Sequence, residues 1–460
     1  MQSEDLFKKQ RILSADKPVV HRTHAGQVRY DWLSACKEER ALTAGIMEEI
    51  LSPLNLLRSY RKVVSNAGSA GVDGMTVREL KKWLGENFTR LREQLRTGKY
   101  VPQPVRLVEI PKSKGGYRQL GIPTVIDRLI QQAIHQVLSP RYEKVFSEYS
   151  YGFRPCKSAH DALEKASQYV AEGYRYVIDL DLEKFFDKVN QDRLMWLLGT
   201  RIGDQRLLTL INKYLHGGVL KEGLVEQRTE GTPQGSPLSP LLSNIVLDEL
   251  DKELERRGHR YVRYADDVKI FVKSENSAKR TKDNITKFIE KKLKLKVNGD
   301  KSRICQSYEL NFLGHSILYG GKLALSKESE SRLKDKIRIL TRRRRSVEFE
   351  VLIKQLHTTL QGWVLYFRKA HMKSKLVKLD SWVKRKLRCY RLKQCKRTIG
   401  IVRFLRSLMV EEKLCWKTAL SGKGWWRISN SPAVNIGMNN NWFYHQGYYS
   451  VLLNYDKFKR

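Results

Sequence analysis

The chain has 460 residues, with 87 Lys and Arg against 49 Asp and Glu, a formal net charge of +38. Such an excess repels itself in a folded molecule unless a polyanion neutralises it, which points to nucleic acid and away from a merely soluble basic protein or one lying on anionic lipid. No apolar run is long enough to span a bilayer, Met1-Gln2-Ser3-Glu4-Asp5 lacks a signal-peptide layout, and the six cysteines form no Cys-x-x-Cys pair, so a reducing cytoplasm without disulfide framework or zinc site is expected.

Residues 1–46 are polar and irregular, with a few aromatic anchors such as Trp32. Helical spacing over 47–64 predicts a helix, closed by Asn66-Ala67-Gly68-Ser69-Ala70-Gly71-Val72-Asp73-Gly74, which is too glycine-rich for a helix interior. From 100 to 123 the pattern is extended and turns at Lys114-Gly115-Gly116; helical spacing returns over 125–138. Tyr174-Arg175-Tyr176-Val177-Ile178-Asp179-Leu180-Asp181 reads as a buried strand ending in an acid, followed by Leu182-Glu183-Lys184-Phe185-Phe186-Asp187. Arg260-Tyr261-Val262-Arg263 and Val268-Lys269-Ile270-Phe271-Val272 alternate with period two around Tyr264-Ala265-Asp266-Asp267, a strand–turn–strand hairpin with two acids at its tip. Beyond 322 the chain turns basic and helical, with Arg342-Arg343-Arg344-Arg345 and an amphipathic run over 351–392. From about 397 it is rich in Trp, Tyr, Asn and Lys, and no internal repeat is visible.

Adjacent carboxylates repel unless a cation sits between them or one takes up a proton. A third carboxylate on a neighbouring strand makes the oxygen-only cage that Mg²⁺ prefers, with substrate phosphates completing it, which is the layout of a two-metal nucleotidyl transferase. By alternation Asp179 and Asp181 share one face of their strand, and either satisfies the geometry. Lys112 and Arg118, with Lys114 as an alternative partner, flank a glycine turn from which cations can close over a triphosphate. Gly235 allows the backbone beside Gln234 to approach a base pair closely.

The order and spacing of these pieces resembles a group II intron reverse transcriptase, an intron-encoded maturase, over nearly the whole length. The matching pieces are the loop 68–74, Ile110-Pro111-Lys112 with the run 118–123, Ser150-Tyr151-Gly152-Phe153-Arg154-Pro155, and the acids 181–187. They continue through Gly231-Thr232-Pro233-Gln234-Gly235-Ser236-Pro237, the Tyr-Ala-Asp-Asp hairpin, Phe312-Leu313-Gly314 and Gln361-Gly362-Trp363-Val364-Leu365-Tyr366-Phe367. The resemblance implies an α+β right-hand polymerase. Its N-terminal extension would cover 1–46, fingers 47–173, a palm with an antiparallel sheet 174–321, an α-helical thumb 322–396 and a DNA-binding segment 397–460.

It also implies the roles. Asp181, Asp266 and Asp267, with the Leu182 backbone carbonyl, would hold two Mg²⁺ ions, Mn²⁺ substituting. The family motif, an Asp followed five residues later by an aromatic, selects Asp181 over Asp179. Phe186 would exclude a 2′-hydroxyl, and Lys112, Arg118 and Gln234 would bind the incoming dNTP, while Asp187 would be structural or a helix cap. Ser236 stands where many relatives have a second glycine, which bears on fit at the templating base. Arg342, Arg343, Arg344, Arg345, Trp363, Lys384 and Arg385 would contact nucleic acid. The expected partners are group II intron RNA, an RNA template with a DNA primer, and target DNA, for a monomer or a homodimer. The type expected is the short bacterial group IIC-like one, without the zinc-dependent HNH endonuclease domain. Two rival expectations are a splicing-only maturase and a domesticated reverse transcriptase in repair or phage defence.

Overall fold

The computed structural model describes residues 45–111, 115–221, 224–226 and 230–459, and the chain divides into two compact units. The expectations that fall on residues 1–44 and on Lys112 and Lys114 lie outside the described residues.

The first unit takes in 45–106, 123–137 and 192–228 and is mainly helical. The helix expected over 47–64 is broken in two, Ile46–Ile50 and Pro53–Asn66, because Pro53 cannot continue a helix and instead opens a new one capped by Ser52. The glycine loop that follows lies against the start of the helix Val125–Glu143. A Cβ on Gly71 would stand 2.6 Å from Thr124 Cα, and Arg128 donates to the Ser69 carbonyl at 2.7 Å. Asp127, on that helix, is buried and accepts from Thr124 Oγ1 (2.7 Å), Tyr100 Oη (2.8 Å) and Tyr214 Oη (3.2 Å). Desolvation raises its pKa and these donors oppose the rise, so the carboxyl acts as a hub for three segments of the unit.

The second unit takes in 107–122, 138–191 and 229–459. Its centre is an antiparallel sheet in the spatial order Arg260–Tyr264, Asp267–Val272, Tyr176–Leu180, Arg303–Gln306. The expected strands form, but both faces are buried: Val177, Val262 and Phe271 pack with Leu163, Ala166 and Tyr169 of the helix Ala159–Ala171, while Ile178, Tyr261 and Ile270 are buried on the other face. Arg263 is charged, yet it lies on that second buried face. It points inward, and its guanidinium and the Asp251 carboxylate are both fully buried, Arg263 Nε donating to Asp251 Oδ1 at 2.8 Å.

Beyond the sheet the chain is helical, as its composition predicts. The amphipathic run 351–392 is two helices, Phe349–Phe367 and Lys373–Gln394, separated by a break at 368–372, and both contribute to one apolar cluster. Six short helices between Thr398 and Lys457 complete one apolar cluster with them. The Phe312-Leu313-Gly314 turn carries this region: Gly314 adopts φ +79, and a Cβ there would meet the Phe367 ring at 3.1 Å. Tyr366 Oη donates to the Leu313 carbonyl at 3.0 Å.

Candidate active site and nucleic-acid interface

The strand Tyr176–Leu180 carries Asp179 inside the sheet and delivers Asp181 just past its end. Its register with Asp267–Val272 pairs Asp179 with Lys269 and Leu180 with Val268, which puts Asp181 across from Asp267. Tyr264 pairs with Asp267, so Asp266 occupies the two-residue turn between them. Ala265 there takes φ +58, a backbone that two-residue hairpin turns demand and that glycine usually supplies. Tertiary contacts hold it: Arg263 Nη1 donates to the Ala265 carbonyl (2.9 Å) and to Asn244 Oδ1 (2.8 Å). Gly152 lies against the back of the turn.

The two acids that alternation could not separate are treated differently. The Asp179 carboxylate is ion-paired with buried Lys269 and stands 3.9 Å from Arg303 Nε. The Asp181 carboxylate is 41% exposed and faces solvent-exposed Lys301 at 3.4 Å. Its backbone is fixed, with the amide donating to Ser302 Oγ (3.0 Å) and the carbonyl accepting from Asn298 (2.9 Å). Leu182 bridges Val297, but the ladder bonds there come from Asp181 and Glu183. In antiparallel pairing the residue between two bonded positions points its own carbonyl to the other side, away from that neighbour.

Asp267 keeps an edge open to solvent but packs deep in the sheet. Desolvation raises its pKa, Asp179 and Asp266 add to the rise, and Lys269 opposes it. Among the described residues no three acidic, histidine or cysteine side chains converge into a group able to hold a metal ion. The physical reason is local: Asp267 is drawn to the Lys269 ammonium and Asp181 stands beside Lys301, so other cations already offset their charge. The donor set is still the one a hard divalent cation takes, being carboxylate oxygen on partly open side chains with more negative charge than its neighbours cancel.

Two of the expected nucleotide-binding residues meet. Arg118, exposed on the strand Tyr117–Ile122, donates from Nε to Gln234 Oε1 at 2.8 Å, and the Gly121 amide donates to the Gln234 carbonyl at 2.8 Å. Gly235 has φ +106, and a Cβ on it would stand 2.7 Å from the Gly121 carbonyl oxygen. The same loop reaches Phe186, whose carbonyl accepts from the Thr232 amide at 2.6 Å. Phe186 is half-buried and meets Phe185 edge-on at 5.3 Å, while Phe185 is the core residue of the pair. Ser236 is buried. Asp187 lies inside the helix Phe185–Lys188, four residues before the following helix Gln191–Arg201 begins and so too early to be its cap, and the Glu183 amide is taken by the Lys296 carbonyl.

The basic helices use much of their charge internally. Arg342, Arg343 and Arg344 are exposed on the loop before Phe349–Phe367, but Arg345 turns inward to the Leu340 carbonyl (2.8 Å) and Gln355 (3.2 Å). Trp363 packs against the apolar cluster of the helical region, its ring 4.9 Å from that of Phe367. Lys384 pairs with Asp380 at 2.7 Å and donates to Asn440 at 2.9 Å. Arg385 stacks 4.0 Å from the Trp426 centroid and donates to the Trp426 carbonyl at 2.9 Å. Arg388 over Phe443, Arg391 over Phe404 and Lys393 over Trp425 continue the pattern. Cations of one helix thus bind the aromatics of the C-terminal helices, at about 0.5–1 kcal/mol each where exposed.

Residues 110–317 match the family described as reverse transcriptase (RNA-dependent DNA polymerase), and residues 331–406 match the group II intron maturase-specific domain. Protein YkfC of Escherichia coli (strain K12) is 33% identical over 314 residues, covering 59% of this chain and 82% of that protein. The group II intron-encoded protein LtrA of Lactococcus lactis is 31% identical, covering 56% of this chain and 54% of LtrA. The chain belongs to the group II intron reverse transcriptase family. The match spans about half the length of LtrA. Among solved structures, a partial Cas6-RT-Cas1–Cas2 complex is similar at 25% identity and TM-score 0.35, over 54% of this chain and 42% of that one. Telomerase from Candida albicans is similar at 14% identity and TM-score 0.42, over 68% of this chain and 63% of that one. Reverse transcriptases are divalent-metal-dependent polymerases, and no helix among the described residues is long and apolar enough to cross a membrane.

Sequence reasoning on this reverse transcriptase missed the supports of its acids. Arg263, Asn244, Asp251 and Gly152 hold the hairpin tip, and Lys269 joins Asp179 to Asp267. A basic residue at an inward-facing strand position was the available signal, since burying one requires a partner. Beside Trp363 in the maturase signature, Tyr366 and Phe367 anchor the region to the Phe312-Leu313-Gly314 turn, and the Tyr366 carbonyl lies 2.7 Å from His160 Nε2.

Proposed function

We propose that this chain copies RNA into DNA at Asp181, Asp266 and Asp267, using a divalent ion, Mg²⁺ or in its place Mn²⁺. The observation that carries the reading is the strand register that sets Asp181 opposite Asp267 with Asp266 in the adjoining turn. When bound, two such ions would lower the pKa of a primer 3′-hydroxyl and neutralise charge on the triphosphate and leaving group. Asp181 fits as a ligand better than Asp179, because Asp179 is committed to buried Lys269. Leu182 would add a backbone carbonyl. Arg118 and Gln234, already joined, form a wall against which a dNTP would be oriented, and the Phe186 ring fills the volume a 2′-oxygen would need. Lys112 would reach the triphosphate.

The same reading makes the protein a maturase that binds its intron RNA, stabilises the folded ribozyme, and extends a target-DNA primer. Arg342, Arg343 and Arg344 would track phosphates of an RNA template and DNA primer by charge and shape. Primer extension on an RNA template tests the polymerase reading: Asp181→Asn and Asp266→Asn should each abolish extension and leave RNA binding intact. Near-normal extension by Asp181→Asn would move the assignment to Asp179. Filter binding with cognate and scrambled intron RNA tests the maturase reading, and equal affinity for both would remove it.

A further inference from the structure

Lys269 belongs to the acid hairpin by sequence, yet none of the roles above uses it. It lies on the strand Asp267–Val272, directly paired across the sheet with Asp179, and its side chain is 3% exposed. Its ammonium ion-pairs with both Asp179 and Asp267, and the Phe312 ring centroid lies 5.8 Å away. Arg303 on the far strand and Asp266 in the turn are the other charges beside the pair. Its strand neighbours Val268, Ile270 and Phe271 are all buried apolar residues. Burying an ammonium costs several kcal/mol of desolvation, so packing alone favours an aliphatic side chain here. Burial alone would also lower the pKa of the lysine, but Asp267 and Asp179 outweigh it and keep the group charged.

We propose that Lys269 is a positioning residue which acts as a built-in counter-ion: it clamps the Asp267 carboxylate to Asp179, across from Asp181, and opposes entry of a divalent ion until a triphosphate brings further negative charge. The inference rests on reading Asp267 as a ligand of that ion. Its physical content is a competition for one carboxylate. An ammonium in contact with Asp267 satisfies oxygen lone pairs that a divalent ion needs, and it repels any second cation within a few ångströms. The bare protein should therefore bind divalent ions weakly. A wrong ion would not lock the acids before substrate arrives, and Asp267 would still be held in place.

The test measures Mn²⁺ binding to the full-length chain without nucleotide, by the electron paramagnetic resonance signal of free Mn²⁺. The Mg²⁺ concentration for half-maximal primer extension is measured in parallel. Lys269→Met should bind Mn²⁺ at least tenfold more tightly and reach half-maximal extension at lower Mg²⁺, with a reduced maximal rate because Asp267 is no longer held. Lys269→Arg, which keeps the charge, should bind Mn²⁺ as the unaltered chain does. Should Lys269→Met not fold, the double variant Asp179→Asn/Lys269→Met, which leaves the net charge of the cluster unchanged, carries the test and should also bind Mn²⁺ more tightly. A folded Lys269→Met, or the folded double variant, whose Mn²⁺ affinity is unchanged or weaker overturns the proposal. Asp267→Asn separates the two readings: full extension by it would sink the assignment of the acids, whatever Lys269 does.

Discussion

Gly152→Ala adds one methyl group against the back of the acid hairpin. Gly152 has an ordinary backbone, so what requires glycine there is space. A Cβ would strike the Ala265 amide nitrogen and stand 2.9 Å from both Ala265 Cα and the Tyr264 carbonyl carbon, where ordinary contact begins at 3.4 Å. Neither side yields easily. Ser150 bridges Arg263, the Tyr151 amide donates to the Arg263 carbonyl at 2.8 Å, and Asn244 Nδ2 donates to the Gly152 carbonyl at 3.0 Å. The turn must therefore move by about 0.5 Å or more, carrying Asp266 and Asp267 with it. Misplacing a reacting group by about 1 Å can cost roughly 100-fold, so extension should slow by about 10- to 100-fold. Overpacking should cost about 1–3 kcal/mol of stability. Single-turnover primer extension at saturating metal and dNTP measures the first, and thermal melting the second. RNA affinity should not change, because the exposed arginines lie on another segment. A rate within twofold of the unaltered chain, with the variant folded, would refute the argument that this glycine sets the position of the acids.

Phe186→Ala should admit ribonucleotides with a modest loss of dNTP use, scored by competition in primer extension; an unchanged preference would return Phe186 to a packing role. Replacing Arg342, Arg343 and Arg344 with Gln should weaken RNA binding uniformly across sequences and reduce the salt slope of log affinity by roughly 2 to 3. The same change at Arg345 should act mainly on stability, because its guanidinium holds the Leu340 carbonyl. Glu253 offers a pH test: hydrogen bonds from Arg256 and Arg257 hold its pKa at about 2, against 4.5 ordinarily. A depressed carboxyl pKa stabilises the fold above pH 4.5 and loses that contribution as pH falls toward 2. Arg256 is largely exposed, so screening trims the pair to about 1 kcal/mol. Glu253→Gln should therefore lower the melting temperature at pH 7 and become neutral only as the pH reaches about 2.

The sequence by itself determined what depends on local pattern. The β-branched and aromatic runs marked the strands Tyr176–Leu180, Arg260–Tyr264 and Asp267–Val272, although the folded sheet buries both of their faces. The net charge pointed to a polyanionic partner, and the spacing of the motifs identified the family. What only tertiary structure decided is what each charge is used for. Alternation gave Asp179 and Asp181 the same face, and their different fates follow from Lys269 and Lys301, which reach them from another strand and another loop. Lys384 and Arg385 read as a nucleic-acid surface, but the partners they meet, Asn440 and Trp426, are set by how helices pack. The breaks inside the expected long helices belong here too. Pro53 signals its break locally, whereas the break at 368–372 lets both helices bury their apolar faces in a cluster completed by the short helices that follow. Periodicity reports which face a side chain takes. Which opposite charge or ring it finds there is a long-range property, and the chain reveals it only when folded.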